Sequence, residues 1–148
     1  MKETNRMRLE FPSRSANETF ARNAVACFAA QLDPTLDELG DIKTAVSEAV
    51  TNSIVHAYPD CIGSVVLRAR LFSDNSIEIT VVDRGCGIAD VERARTPMFT
   101  TGGDDRSGMG FTIMESFMDK LKVKSKEGHG TTVTMRKTIS LRPGKGRK

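Results

Sequence analysis

The spacing of apolar residues alternates along the chain between a period of two and one of three to four, and each change predicts an element. In "MRLEF", Met7, Leu9 and Phe11 alternate with polar residues, as in a half-buried strand. "SANE" then offers Ser15 and Glu18 as a capping box. The helix behind it carries an apolar stripe of Phe20, Ala24, Phe28 and Leu32, and Cys27 falls inside this pattern, which predicts it in the core. "LDPT" ends the helix, and a second runs from about Leu36 to Ala57. Its stripe is Leu39, Ile42, Val46, Ala49 or Val50, Ser53 and Ala57. Glu48 and Asn52 are four apart, so they neighbour each other on a different face of the same helix.

The period then drops to two. "VVLRARLF" predicts Val65, Leu67, Ala69 and Leu71 inward with Arg68 and Arg70 outward, and "SIEITVVD" turns Ile77, Ile79 and Val81 inward, with "SDNS" as the hairpin turn. After a glycine-punctuated stretch, "FTIMESFMDKL" returns to helical spacing through Phe111, Met114, Phe117 or Met118, and Leu121. "LKVKSK", a turn at "EGHG" and "TTVTMRKTI" make a second hairpin. The order strand, helices, hairpin, loop, helix, hairpin predicts an α+β fold. It is a two-layer sandwich with helices on one face of a mainly antiparallel mixed sheet.

Composition changes this picture little. A chain of 148 residues, 39% hydrophobic and 28% charged, is one soluble domain by prior. That domain is expected over residues 1–141, in the cytoplasm, with neither a signal-peptide core nor a membrane span. The net charge of +3 owes much to the last seven residues, "RPGKGRK", with four basic groups and no acid. Residues 142–148 are therefore expected to be a disordered tail. Without it the balance turns slightly negative, so direct nucleic-acid binding is not expected. Cys27, Cys61 and Cys86 are odd in number and widely spaced, which predicts reduced thiols rather than a disulfide frame or zinc site.

Candidate chemistry lies in three places. Glu48 and Asn52 share a helical face. Asp83 ends a strand and is followed by Gly85 and Gly87. Gly108 and Gly110 immediately precede a helix, where backbone N–H groups and the helix dipole attract phosphate. A side-chain amide oxygen suits Mg²⁺, which takes few protein ligands and several phosphate oxygens. A neighbouring carboxylate can orient or deprotonate a hydroxyl. An ionised Asp only accepts hydrogen bonds, so it can read the amino group of adenine. Each feature alone is common in structural roles; their order along one chain is specific.

Together these stretches resemble the ATP-site motifs of the GHKL (Bergerat) fold. "SEAVTNSIVHAY" is similar to its N-box, "DRGCGI" and "RSGMGF" to its two glycine boxes, and "GTT" at Gly130 to Thr132 to its closing threonine motif. "RSANETFAR", "DELGDIKTAVSEAVTN", "FTT" and "RSGMGFTIMESFMD" resemble the bacterial anti-sigma serine kinases, most closely their sporulation branch. The similarity runs from about Met7 to Thr138. It implies that Asn52 ligates Mg²⁺ and Glu48 is the general base. It implies that Asp83 binds adenine with Thr132 supporting the base edge, and that Gly85 and Gly87 let the nucleotide approach. Gly108, Met109, Gly110 and Phe111 would lie at the phosphates, and Thr100, Thr101 and the residues on to Ser107 would form the ATP lid. The implied ligands are ATP or ADP. The implied partners are sigma F, an anti-anti-sigma factor phosphorylated on serine, and a second copy in a homodimer. The resemblance also places a partner-contacting residue at Arg22.

Two departures stand out. After "FTT" the family usually has a Lys and a longer lid; here "GGDD" is shorter and leaves the cationic role to Arg106. Cys86 stands where the family more often has an aliphatic residue. Competing readings are a kinase for a stress-response sigma factor, a histidine-kinase ATPase domain, and a binding module with a relic site. The second expects an upstream dimerisation helix pair, for which about fifteen residues before the first helix leave no room. Intact Glu48, Asn52 and Asp83 argue against the third. His56 is expected to be structural.

Overall fold

The structure, a computed structural model, describes residues 1–86 and 110–141. Five strands form one sheet: β1 (Glu3–Pro12), β2 (Ser64–Phe72), β3 (Ser76–Asp83), β4 (Lys120–Lys126) and β5 (Gly130–Thr138). Their order is β1-β2-β3-β5-β4, antiparallel at every pairing among the described residues. Helices α1 (Ala16–Ala29), α2 (Leu36–Asn52) and α3 (Gly110–Phe117) cover one face, with α2 packed against both others. The expected two-layer α+β sandwich is what forms.

The inner face follows the alternation in the sequence. Leu9, Leu67, Val81, Val133 and Val123 make one row across the strands, and Met7, Ala69, Ile79, Met135 and Leu121 the next. Both rows are apolar, and their central members are fully buried beneath Ile42, Val46 and Val50 of α2. The following row reads Phe11, Val65, Asp83, Thr131 and Ser125. Here the inner face becomes polar, and this end of the sheet holds the site.

The first helix is rotated from its expected pose. Ala21, Val25, Ala29 and Leu32 are buried, whereas Phe20 is 54% exposed and Cys27 faces solvent. The expected stripe contains the larger side chains. The close approach of α1 to the sheet and to α2 instead selects the row of small ones. Leu32 lies in a 3₁₀ turn, Ala30–Leu32, that closes α1. In the third helix Met118 rather than Phe117 is buried, and Leu121 belongs to β4, because α3 ends at Phe117.

The capping box is also displaced. Ser15 has helical backbone angles and makes no side-chain cap. Thr35 caps α2 instead: its Oγ1 accepts from Glu38 N–H at 3.1 Å while Thr35 N–H donates to Glu38 Oε1 at 2.9 Å. Thr35→Ala is therefore expected to cost about 1 kcal/mol in urea unfolding, and Ser15→Ala to fall within about 0.5 kcal/mol of the parent.

Candidate functional site

Helix α2 does not end as a regular helix. After Asn52 the backbone widens into a π-helical turn, Ser53–Ala57. Such turns displace carbonyls from the regular ladder and often mark sites. Here two of these carbonyls meet the glycine stretch after β3. Ala57 C=O accepts from Cys86 N–H at 3.0 Å, and His56 C=O lies 3.0 Å from the Cys86 thiol, which donates to it. A side chain at Gly85 would not fit, since a Cβ there would lie 2.2 Å from the Ala57 carbonyl oxygen. The sequence marked Gly85 for ligand approach. What the structure shows is a close approach to the protein's own helix.

Asp83 is the centre of this end. Its residue is 4% exposed, and both carboxylate oxygens are engaged. Oδ1 accepts from Gly85 N–H at 3.0 Å and Thr131 N–H at 3.2 Å, and Oδ2 accepts from Ser53 Oγ–H at 3.0 Å. Burial is the largest influence and pushes the Asp83 carboxyl above its ordinary range; the three donors oppose this without cancelling it. A held, acceptor-only carboxylate at the end of a strand can orient a ligand amino group with little rearrangement.

Gly130 makes the Thr131 contact possible. It has φ +98°, and a Cβ would lie 2.2 Å from the Asp83 carbonyl oxygen. Thr131 Oγ1 in turn lies 2.8 Å from Ser125 Oγ. Thr132, expected at the base edge, lines the same cleft as Asp83. Thr132 pairs with Val82 on the outer face, and it is Thr131 that is buried beside Asp83.

Glu48 and Asn52 both lie in α2 and are half-buried. A Cβ at Gly110 would sit 3.4 Å from Glu48 Oε1, so the carboxylate faces the start of α3. Phe111 is 6% exposed and packs into the core, leaving only its backbone available to a phosphate. Gly87, Thr100, Thr101, Arg106, Ser107, Gly108 and Met109 lie outside the described residues, as does the tail 142–148. Among the described residues, Glu48 meets the start of α3, and Asp83 and the stretch after it are tied to the Ser53–Ala57 turn that directly follows Asn52. Arg22 is on α1, where its Nε lies 3.3 Å from Glu18 Oε2.

Sequence reasoning missed two contributors. Ser53 was assigned to the apolar stripe, yet its hydroxyl holds Asp83. Tyr58 carries no mark in the sequence pattern; its hydroxyl donates to the Ser64 carbonyl and accepts from Arg84 N–H, both at 2.8 Å, tying the glycine stretch to β2.

Asp83 supports a two-part expectation. Because its carboxyl is raised, ionising it costs the folded state more than the unfolded one. Its stabilising contribution is complete below the ordinary value of 3.8 and is lost as pH rises through the raised one. Asp83→Asn, which never ionises, should therefore gain stability relative to the parent as pH rises through that window. The same variant should lose preference for adenine over guanine nucleotides. Thermal melts across pH with ATP or GTP check both, and an unchanged nucleotide preference would assign base reading elsewhere.

Comparison with known proteins agrees with this geometry. Residues 11–137 match the family described as histidine kinase-like ATPase domain. An anti-sigma F factor from Caldanaerobacter subterraneus subsp. tengcongensis is 57% identical over 140 residues, covering 94% of this chain and 97% of the relative. One from Clostridium beijerinckii is 50% identical, covering 93% and 96%. Among solved structures, the RsbU and RsbW domains of Rv1364c from Mycobacterium tuberculosis align with a TM-score of 0.70 at 20% identity. That alignment covers 94% of this chain and 34% of the other, and shows the shared fold. No helix among the described residues is long and apolar enough to cross a membrane. With an N-box helix, an engaged strand-end aspartate and relatives alike over nearly their whole length, the chain belongs to the histidine kinase-like ATPase family and, within it, to the anti-sigma F factors.

Proposed function

We propose that this chain is an ATP-dependent serine kinase that phosphorylates an anti-anti-sigma factor. We propose also that it binds sigma F as a homodimer and withholds it from RNA polymerase, so controlling sporulation transcription. The observation that carries the nucleotide part is the buried Asp83 carboxylate, held by Ser53, Gly85 and Thr131 at the rim of the α2–β3 seam. The relatives' name supports the sigma partner.

The division of labour follows from position. Asp83 accepts from the adenine amino group. The N-terminus of α3 offers backbone N–H groups to the phosphates. Asn52 supplies one neutral amide oxygen, a donor suited to a hard cation delivered on a nucleotide. Mg²⁺, when bound, neutralises charge on the phosphate oxygens. Glu48, facing the same N-terminus, takes the proton of the acceptor serine. Arg106 is proposed to balance charge near the γ-phosphate.

Incubation with labelled ATP and an anti-anti-sigma factor, followed by phosphoamino-acid identification, tests the kinase. Label on serine supports it; label on histidine or none rejects it. Co-elution with sigma F against a stress-response sigma factor tests the partner. For Arg22, charge reversal is informative because the residue lies on α1, which carries none of the proposed nucleotide residues. Arg22→Glu should weaken binding of sigma F or the anti-anti-sigma factor about tenfold or more while ATP affinity stays unchanged. Normal binding of both proteins would remove Arg22 from the partner surface.

A further inference from the structure

The face of the sheet turned away from the helices carries a second feature that the kinase chemistry does not use. Over most of this face basic side chains are matched. Arg6 pairs with Glu3, Arg8 with Glu10, Arg70 with Glu78, and Arg136 with Asp74 and Glu78. The matching stops at β4. Lys120, Lys122, Lys124 and Lys126 alternate along it, all exposed, and none is within ion-pair distance of an acid among the described residues. Asp119 and Glu127 border the strand, and Asp119 is already engaged as acceptor for Thr138 N–H at 2.6 Å.

Strand β4 is also an edge. It pairs with β5 on one side and with no strand on the other among the described residues. Leu121 and Val123 are half-exposed although their partners Met135 and Val133 are buried, so the helical layer stops short of this margin. At its far end the strand opens onto a cleft of about 380 Å³ lined by Arg84, Lys124, Lys126 and His129, with Ser125 and Thr132. Asp83 is the one acid in the lining, and its carboxylate oxygens are taken by Ser53, Gly85 and Thr131.

We propose that the free edge of β4 and the cationic cleft at its end bind an acidic polypeptide segment in extended conformation, which adds a strand to the sheet. Edge-strand lysines ordinarily prevent pairing between copies. A second copy laid antiparallel on β4 would set lysines against lysines, which is destabilising. The same row admits a strand with Asp or Glu at alternate positions, because alternate side chains of both strands recur at about 6.6–6.8 Å. Main-chain hydrogen bonds supply affinity in this mode, and side chains supply selection. A nucleic acid is the weaker fit: Phe72, on this face, is 8% exposed beneath the guanidinium groups of Arg70 and Arg136, so among the described residues this face offers bases no free phenylalanine platform.

The test is titration of the full-length protein with a synthetic peptide of alternating Glu and Thr. Backbone amide shifts of residues 120–126 and calorimetry at low and high salt are the readouts. Expected are shifts confined to β4, its bordering turn and the strand-end cleft. Affinity should fall with salt, drop at least about tenfold in Lys120→Glu/Lys122→Glu, and be absent with a Lys/Thr peptide. The double variant should keep its ATP-induced rise in melting temperature, which shows that it is folded and that the nucleotide site is intact. The proposal is overturned by the absence of β4 shifts or by equal affinity of parent and variant. It is likewise overturned if oligothymidylate binds this edge while the peptide does not.

Discussion

Glu48→Gln should bind Mg·ATP and sigma F as the parent does and lose about 10²–10⁴ in the rate of phosphoryl transfer. Glutamine keeps the shape of the side chain and one hydrogen-bond-accepting oxygen, so packing near Gly110, 3.4 Å from Glu48 Oε1 at its virtual Cβ, is preserved. What would disappear, if Glu48 is the base as proposed, is the capacity to take a proton from the acceptor serine. Positioning and charge neutralisation, which dominate phosphoryl transfer, would on the proposed roles remain with Asn52, Asp83 and the start of α3. The loss should therefore appear in turnover at saturating nucleotide and not in affinity. Single-turnover kinetics separates the two. A rate within a few-fold of the parent would shift the burden to charge stabilisation, and Arg106 would be the residue to replace next. In regulation, the variant would leave the anti-anti-sigma factor unphosphorylated, so sigma would continue to be released.

Gly85→Ala should abolish nucleotide binding by a different route. The new methyl would stand 2.2 Å from the Ala57 carbonyl oxygen and 2.5 Å from the Ala57 Cβ, far inside contact distance. Neither neighbour is the tip of a flexible side chain, so the glycine stretch must move away from α2. Three contacts move with it: Gly85 N–H to Asp83 Oδ1, Cys86 N–H to the Ala57 carbonyl, and the Cys86 thiol to the His56 carbonyl. Overpacking of this kind typically costs about 1–3 kcal/mol. Because the strain falls on the site, the expected result is a modestly lowered melting temperature with no further rise on adding ATP. Retention of the parent's ATP-induced shift would show that the stretch can relax without losing Asp83.

Most of the fold was legible because two periods suffice to define it. The strand alternation was right throughout, and Met7, Leu9 and Phe11 through Ile77, Ile79 and Val81 all face the helices. Applied to "TTVTM", the same alternation sets Thr131 in phase with buried Val133 and Met135. It marks Thr131 as the inward threonine beside Asp83 and leaves Thr132 facing outward, a distinction the motif alone does not make. Helix α1 was harder. Its sequence carries two adjacent apolar rows, and periodicity cannot say which one turns inward; the spacing between layers decides, and it favoured Ala21, Val25 and Ala29 over Phe20 and Phe28. The π-helical turn had no signature at all, since Ser53 and Ala57 suit an ordinary helix equally well. The box at Thr35 and Glu38 was readable, being a threonine with a glutamate three residues on, but the similar pattern at Ser15 and Glu18 is not used.

The π-helical turn also gives α2 an unusual concentration of duties. Within ten residues this one rod supplies Glu48, Asn52, the hydroxyl of Ser53, and the carbonyls of His56 and Ala57 that tether the stretch after β3. A small tilt or roll of α2 therefore displaces all of these groups together. Linkage is reciprocal: if occupied and empty sites favour different poses of α2, any contact that fixes the pose alters nucleotide affinity by the factor that nucleotide alters the contact. Helix α1 packs along α2 and carries Arg22, so a protein seated on α1 would press on the same rod that carries Glu48, Asn52 and these tethers.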